Sequence, residues 1–139
     1  MEKLTVPGTL DSLSEISKYV LSAASAAGLD KKASYRLRLA VDEIATNVIV
    51  YGYEDSKIPG NLDLQAKIDD NSLTILMEDN AAAFDPTTKF MLEEASINLQ
   101  MEQRAIGGLG VYLAIQGVDR FMYERNGDRN RNIFVVNLH

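Results

Sequence analysis

Residues 62–79 read LDLQAKIDDNSLTILMED. Leu62, Leu64, Ala66 and Ile68 alternate with Asp63, Gln65, Lys67 and Asp69, the period of a strand with one face against a core and one in water. Asp70 and Asn71 supply the turn, and residues 73–78 form a second strand that delivers Asp79 at its exit. Two such strands joined so tightly must run antiparallel, because a parallel pair needs a crossover of a dozen residues or more.

Working outward, Leu4 and Val6 flank Thr5 in a short alternating run closed by Pro7 and Gly8, an edge strand. Leu13, Ile16, Val20, Ala23 and Ala27 then recur at helical spacing, with Asp11 or Ser12 as the cap and Gly28 as a left-handed stop. Asp30 caps a second helix whose apolar stripe is Leu37, Val41, Ile44 and Val48, flanked by Ala40 and Ala45, and Gly52 or the SKIPGN stretch ends it. Beyond the hairpin, residues 80–106 lack clear periodicity apart from a short helix over 90–100. A connection of that length inside one domain reads as a functional lid. Residues 109–116 form a last helix ending at Gly117. Strands over 118–125 and 133–138 follow, joined across Asn126 and Gly127. Adjacent antiparallel strands with grouped helices give an α+β fold: a two-layer α/β sandwich, its sheet mixed but mostly antiparallel, with the helices on one face.

The chain has 139 residues, 46% of them hydrophobic, enough for one core and one domain over residues 1–139. A net charge of -6 repels nucleic acid and anionic membrane at long range, so neither is expected as a partner. There is no cysteine, and the one histidine is the terminal His139, which removes disulfides, thiolate metal sites and serine–histidine hydrolysis. No apolar run approaches the roughly 20 residues of a membrane helix and the N-terminus has no signal-peptide core, so a cytoplasmic protein is expected.

Three separated segments carry chemistry. Glu43 and Asn47 lie four residues apart in LRLAVDEIATNVIVYGY, one helical turn, bordering the apolar stripe. An amide oxygen there suits a magnesium ion that already carries phosphate oxygens, and the carboxylate can accept a proton. Asp79 leaves its strand into TILMEDNAAAFDP, where a fixed carboxylate can accept a hydrogen bond from the exocyclic amine of adenine. Gly107, Gly108 and Gly110 in IGGLGVYLAI surround Leu109 at the start of a helix, where exposed backbone N–H groups and the helix dipole favour phosphate. Arg104 stands at the end of the lid, within reach of a terminal phosphate. Tyr51 and Tyr53 are candidates to line the same pocket. Each segment alone is equally an exposed helix face, an Asx turn or a flexible loop, and their combination is what points to ATP. No P-loop string of the Gly-x-x-x-x-Gly-Lys-Ser/Thr type occurs, so the triphosphate site is of another kind.

With those residues in view, the chain resembles the anti-sigma factor serine/threonine kinases, a branch of the histidine-kinase-like ATPases. AVDEIATNVIVYGY resembles the family's first box, EDNAAAFDP its second, and GGLGVYLAIQGVDRFMYERNGDRNR its third with the closing hairpin. The resemblance implies Glu43 as general base, Asn47 as Mg2+ ligand and Asp79 as adenine reader. Ala81, Phe84, Arg104, Gly107, Gly108, Leu109 and Gly110 complete the ATP contacts. It further implies a protein serine/threonine kinase whose substrate resembles a small anti-anti-sigma protein, which also sequesters a sigma factor, often as a homodimer. Two positions depart from the pattern: Ala81 replaces a glycine usual two residues after the aspartate, and Tyr51 replaces a frequent histidine. A methyl at position 81 is expected to crowd the adenine. That departure motivates a second reading, a nucleotide-sensing binding module that sequesters a sigma factor or related regulator without turnover.

Overall fold

In the computed structural model of the chain, residues 1–86 and 108–138 are described. Five strands, β1 (Leu4–Pro7), β2 (Asn61–Ile68), β3 (Ser72–Asp79), β4 (Arg120–Asn126) and β5 (Arg129–Asn137), form one sheet in the order β1-β2-β3-β5-β4. All four pairings are antiparallel. The alternation read from 62–79 is observed except at Ile68, which ends its strand exposed: Leu62, Leu64, Ala66, Leu73, Ile75 and Met77 are buried, while Asp63, Gln65, Thr74 and Glu78 lie on the wetter face. The turn is closed by Asp69, whose Oδ1 accepts from the N–H of Asn71 (2.7 Å) and of Ser72 (2.8 Å), an Asx turn that fixes the register.

Register carries the inner face across the sheet. Ala66 pairs with Ile75 and Ile75 with Phe134; one step along, Leu64 pairs with Met77 and Met77 with Asn132; at the end, Leu62 pairs with Asp79 and Asp79 with Asn130. The inner face is thus apolar in its middle and polar at the end where β3 exits.

Helices α1 (Leu13–Ala26), α2 (Lys31–Asn47) and α3 (Gly108–Gln116) cover this face. Ile16, Val20 and Ala23 of α1 join Leu37, Ala40, Val41 and Ile44 of α2 and Val111 and Ala114 of α3 in one core with the strands. Each fully buried Leu, Ile or Val contributes about 1.5–3 kcal/mol. Asp30 caps α2 as expected, its Oδ1 accepting from Ala33 N at 2.8 Å. Gly28 stops α1 at φ +81°, with Leu29 N donating to Ala24 O. Neither expected cap of α1 acts as one. Ser12 makes no side-chain cap and ends a 3-10 turn (Leu10–Ser12), and its hydroxyl donates to Pro7 O at 2.7 Å, tying helix entry to the edge strand.

Helix α2 does not stop at Gly52. It widens into a π-helical turn, Val48–Glu54. That turn places the Tyr53 ring in the core, its hydroxyl 2.8 Å from Asn61 O and 2.7 Å from Asn80 Oδ1, and accepting the Asn80 N–H at 3.0 Å. Gly8 and Gly60 let the chain pass over the ring, since a Cβ at either would lie within 2.4 Å of it. One tyrosine therefore pins the end of α2 to the start of β2 and the exit of β3.

Candidate functional site

Alternation along β3 turns Asp79 inward, where it is 0% exposed. Its Oδ1 accepts two hydrogen bonds, from Ala81 N at 3.0 Å and from Asn130 Nδ2 at 2.8 Å. Oδ2 is buried and has no partner among the described residues. Burial raises the pKa of this carboxyl above 3.8, opposed by the bonds from Asn130 and Ala81 and, at longer range, by Arg129 and Arg125. One oxygen is spent on the fold and the other is left, at a desolvation cost, for a donor from outside.

Asn130 is the residue that sequence reading missed. Its Nδ2 also approaches Ala81 O (3.2 Å) and Ala82 O (3.0 Å), and its Oδ1 accepts from Arg125 Nη1 at 3.2 Å and from the Tyr123 hydroxyl. Arg125 Nη1 also donates to Ala81 O at 3.0 Å. The β4–β5 hairpin thereby holds the backbone just beyond β3. A signal did exist: continuing the period-two alternation back from Phe134 and Val136 reaches Asn132 and Asn130, two amides on a face otherwise apolar.

Between this network and the end of α2 lies a hollow of about 170 Å3. Four of the expected residues line it together: Asn47, Asp79, Ala81 and Phe84. Tyr51 lines it too, with Gly52 and Asn130, whereas Tyr53 is a core residue. The volume is below the ~300–1,000 Å3 of sites that enclose a whole drug-sized ligand, room for a flat heterocycle but not for a chain attached to it. Asn47 is only 4% exposed and its Nδ2 lacks a partner among the described residues, so its amide has unspent hydrogen-bonding capacity; a half-turn of the side chain exchanges that nitrogen for the oxygen.

Ala81 does not close the hollow. It is 5% exposed and packs on the π-helical turn: a methyl at Gly52 would lie 2.9 Å from the Ala81 Cβ. Ala81 thus borders both the hollow, which it helps to line, and the helical turn, where Gly52 leaves room for its methyl.

Glu43 is half-buried on α2, one turn before Asn47 and outside the lining of the hollow. Helix α3 packs against α2 and includes Gly108, Leu109 and Gly110, the first of the described residues after position 107. Arg104, Gly107 and the helix expected over 90–100 lie outside the described residues.

The family profile described as histidine kinase-like ATPase domain matches residues 6–135. This chain belongs to that family. Solved structures share the fold of this ATPase domain. The histidine kinase domain of the Erythrobacter litoralis EL346 blue-light activated histidine kinase is 15% identical with a TM-score of 0.57, over 92% of this chain and 60% of that one. The Acinetobacter baumannii histidine kinase AdeS is 12% identical with a TM-score of 0.54, over 100% of this chain and 70% of that one. No curated protein sequence matches the chain significantly. No helix among the described residues is long and apolar enough to cross a membrane.

The residues of this histidine kinase-like ATPase domain fit a nucleotide. Asp79, whose Oδ2 is an acceptor without a partner among the described residues, lines a cavity of base-like volume. They also fit a divalent cation of the kind that keeps its water and phosphate ligands. Among the described residues no cluster of three or more acidic or histidine side chains could hold an ion alone, whereas the Asn47 amide can add one ligand to a nucleotide-borne magnesium.

Proposed function

We propose that this ATPase domain is a protein serine/threonine kinase of the anti-sigma factor type, transferring the terminal phosphate of ATP to a small anti-anti-sigma-like partner. The observation that carries the nucleotide reading is the divided carboxylate of Asp79, one oxygen held by Ala81 and Asn130 and the other without a partner among the described residues, on a side chain that lines a cavity of base-like volume. An exocyclic amine supplies the missing donor, which favours adenine over guanine at that place. With the base so seated, the backbone N–H groups and dipole of Gly108–Gln116 would favour the triphosphate charge, and the resemblance adds Arg104 and Gly107, which lie outside the described residues, to the same contacts.

In this reading Glu43 accepts the proton of the attacking serine or threonine hydroxyl as its oxygen bonds to the terminal phosphorus and ADP leaves. Asn47 holds magnesium, which neutralises charge on the phosphate oxygens when bound. The partner side of the proposal, a sigma factor held in alternation with the substrate and a homodimer as the working form, is supported by the resemblance of the three boxes.

The test is transfer of labelled phosphate from ATP to a purified anti-anti-sigma-like partner. Glu43→Gln is expected to abolish transfer while keeping ATP affinity, because the residue lies outside the hollow. Transfer undiminished in that variant removes Glu43 from the role of base. ATP binding with no transfer by the wild-type chain supports the sequestering-module reading instead. The methyl that motivated that reading packs against Gly52 in the wall of a cavity of about 170 Å3.

A further inference from the structure

The β4–β5 hairpin contains an exposed arginine that touches the binding site from outside. Arg125 does not line the hollow. It stands opposite Asn130 in the register, and its Nη1 donates both to Asn130 Oδ1 (3.2 Å) and to Ala81 O (3.0 Å), while Nε donates to Gly127 O at 3.0 Å. A side chain with three acceptors around a planar fork is fixed in place.

The consequence follows from the chemistry of an amide. Asn130 can present either of two faces, oxygen one way and nitrogen the other. With Oδ1 toward Arg125 and Tyr123, Nδ2 points to three acceptors: Asp79 Oδ1, Ala81 O and Ala82 O. In the reverse orientation the amide oxygen would meet those same three acceptors and the amide nitrogen would meet a guanidinium, and only the Tyr123 hydroxyl, which can accept as well as donate, would tolerate the change. Arg125 therefore reinforces the orientation that binds Oδ1 of Asp79, and through the Ala81 carbonyl it also anchors the residue whose N–H is the second donor to that oxygen.

We infer that Arg125 is a positioning residue for base recognition: through Asn130 and the Ala81 carbonyl it holds Asp79 so that one unpartnered oxygen faces the cavity. It contacts no part of the ligand. The inference rests on the adenine reading proposed above and adds a determinant outside the pocket. Without the arginine, Asn130 Oδ1 keeps the Tyr123 hydroxyl and the Ala81 carbonyl loses its charged donor, so both groups that donate to Asp79 Oδ1, Asn130 Nδ2 and Ala81 N, are held less firmly and the carboxylate is less well aimed.

The experiment compares affinity for ATP and for ITP, which carries a carbonyl where ATP carries the exocyclic amine, by calorimetry with magnesium on the whole chain. Wild type is expected to prefer ATP. Arg125→Ala is expected to weaken ATP roughly tenfold, the size of one charge-assisted hydrogen bond, and to leave ITP within about twofold, so that the preference collapses. Arg125→Lys is expected to recover part of it, because an ammonium can reach one of the two acceptors. A merely structural arginine would weaken both nucleotides by the same factor; that result, or an unchanged ATP/ITP ratio in Arg125→Ala, overturns the inference while the ATP reading stands. Should Arg125→Ala not fold, Tyr123→Phe removes the other donor to Asn130 with almost no change of volume and must shift the ratio the same way. A wild-type chain that binds neither nucleotide, or both equally, refutes the adenine reading itself.

Discussion

A methyl group added at Gly52 tests how the site accommodates Ala81. It would sit 2.9 Å from the Ala81 Cβ and 3.7 Å from Val48 Cγ1; the second is an ordinary contact and the first overlaps by about half an ångström relative to the 3.4–4 Å range. Neither partner yields easily. Gly52 belongs to the π-helical turn anchored by Tyr53, and Ala81 is held through its N–H by Asp79 and through its carbonyl by Arg125 and Asn130. Overpacking of this kind costs about 1–3 kcal/mol, partly offset by the ~0.5–1 kcal/mol an alanine gains over glycine in a helical position. Gly52→Ala is thus expected to lose about 1–2 kcal/mol. The double variant Gly52→Ala with Ala81→Gly, which exchanges the two methyls, should return most of it. Urea unfolding of wild type, both single variants and the double variant gives the coupling directly, provided the slope of free energy against urea is unchanged. Additive changes, or a Gly52→Ala chain as stable as wild type, would refute the packing of Ala81 against the helix.

Other consequences concern Asp79. Asp79→Asn keeps an oxygen for Ala81 N and Asn130 Nδ2 and removes a buried charge, so folding stability is expected to hold or rise by about 1 kcal/mol while ATP affinity falls at least about tenfold; loss of stability, or ATP affinity intact in calorimetry, contradicts this. The raised pKa also sets a sign. A carboxyl that holds its proton more tightly folded than unfolded makes its contribution to stability fall as pH rises from 3.8 toward the folded value, and restores it on acidification. ATP affinity moves oppositely, because the amine needs the ionised acceptor: it should decline on acidification with a midpoint above 3.8, and a titration of Asp79→Asn should lack that step.

What the sequence made legible follows physical locality. The β2–β3 hairpin was readable because alternation and an Asx turn are short-range signals, and Asp79 was readable as a site residue because it ends such a strand. Asp30 and Gly28 announced the boundaries of α1 and α2 for the same reason. Asn130 was not readable in this way: its role arises from the pairing of β3 with β5 across more than 50 positions, and two buried asparagines made β5 look as if it began at Ile133 when it begins at Arg129. The hairpin turn shifted with it, from Asn126 and Gly127 to Gly127 and Asp128, with Gly127 at φ +64°. The π-helical turn was equally hidden, since Val48, Ile49 and Tyr53 suit a helix of either pitch, and only the burial of Tyr53 between two strands selects the wider one. The consequence of Ala81 was unreadable because its neighbour, Gly52, lies 29 positions away.

The most direct measurement is a crystal structure with magnesium and a non-hydrolysable ATP analogue. The purine is expected in the hollow between Asn47 and Asn130, its exocyclic amine donating to Oδ2 of Asp79 at an ordinary hydrogen-bond length of ~2.7–3.2 Å, and the Asn47 amide oxygen on the cation. A nucleotide bound elsewhere, or a hollow that stays empty at saturating analogue, would contradict it.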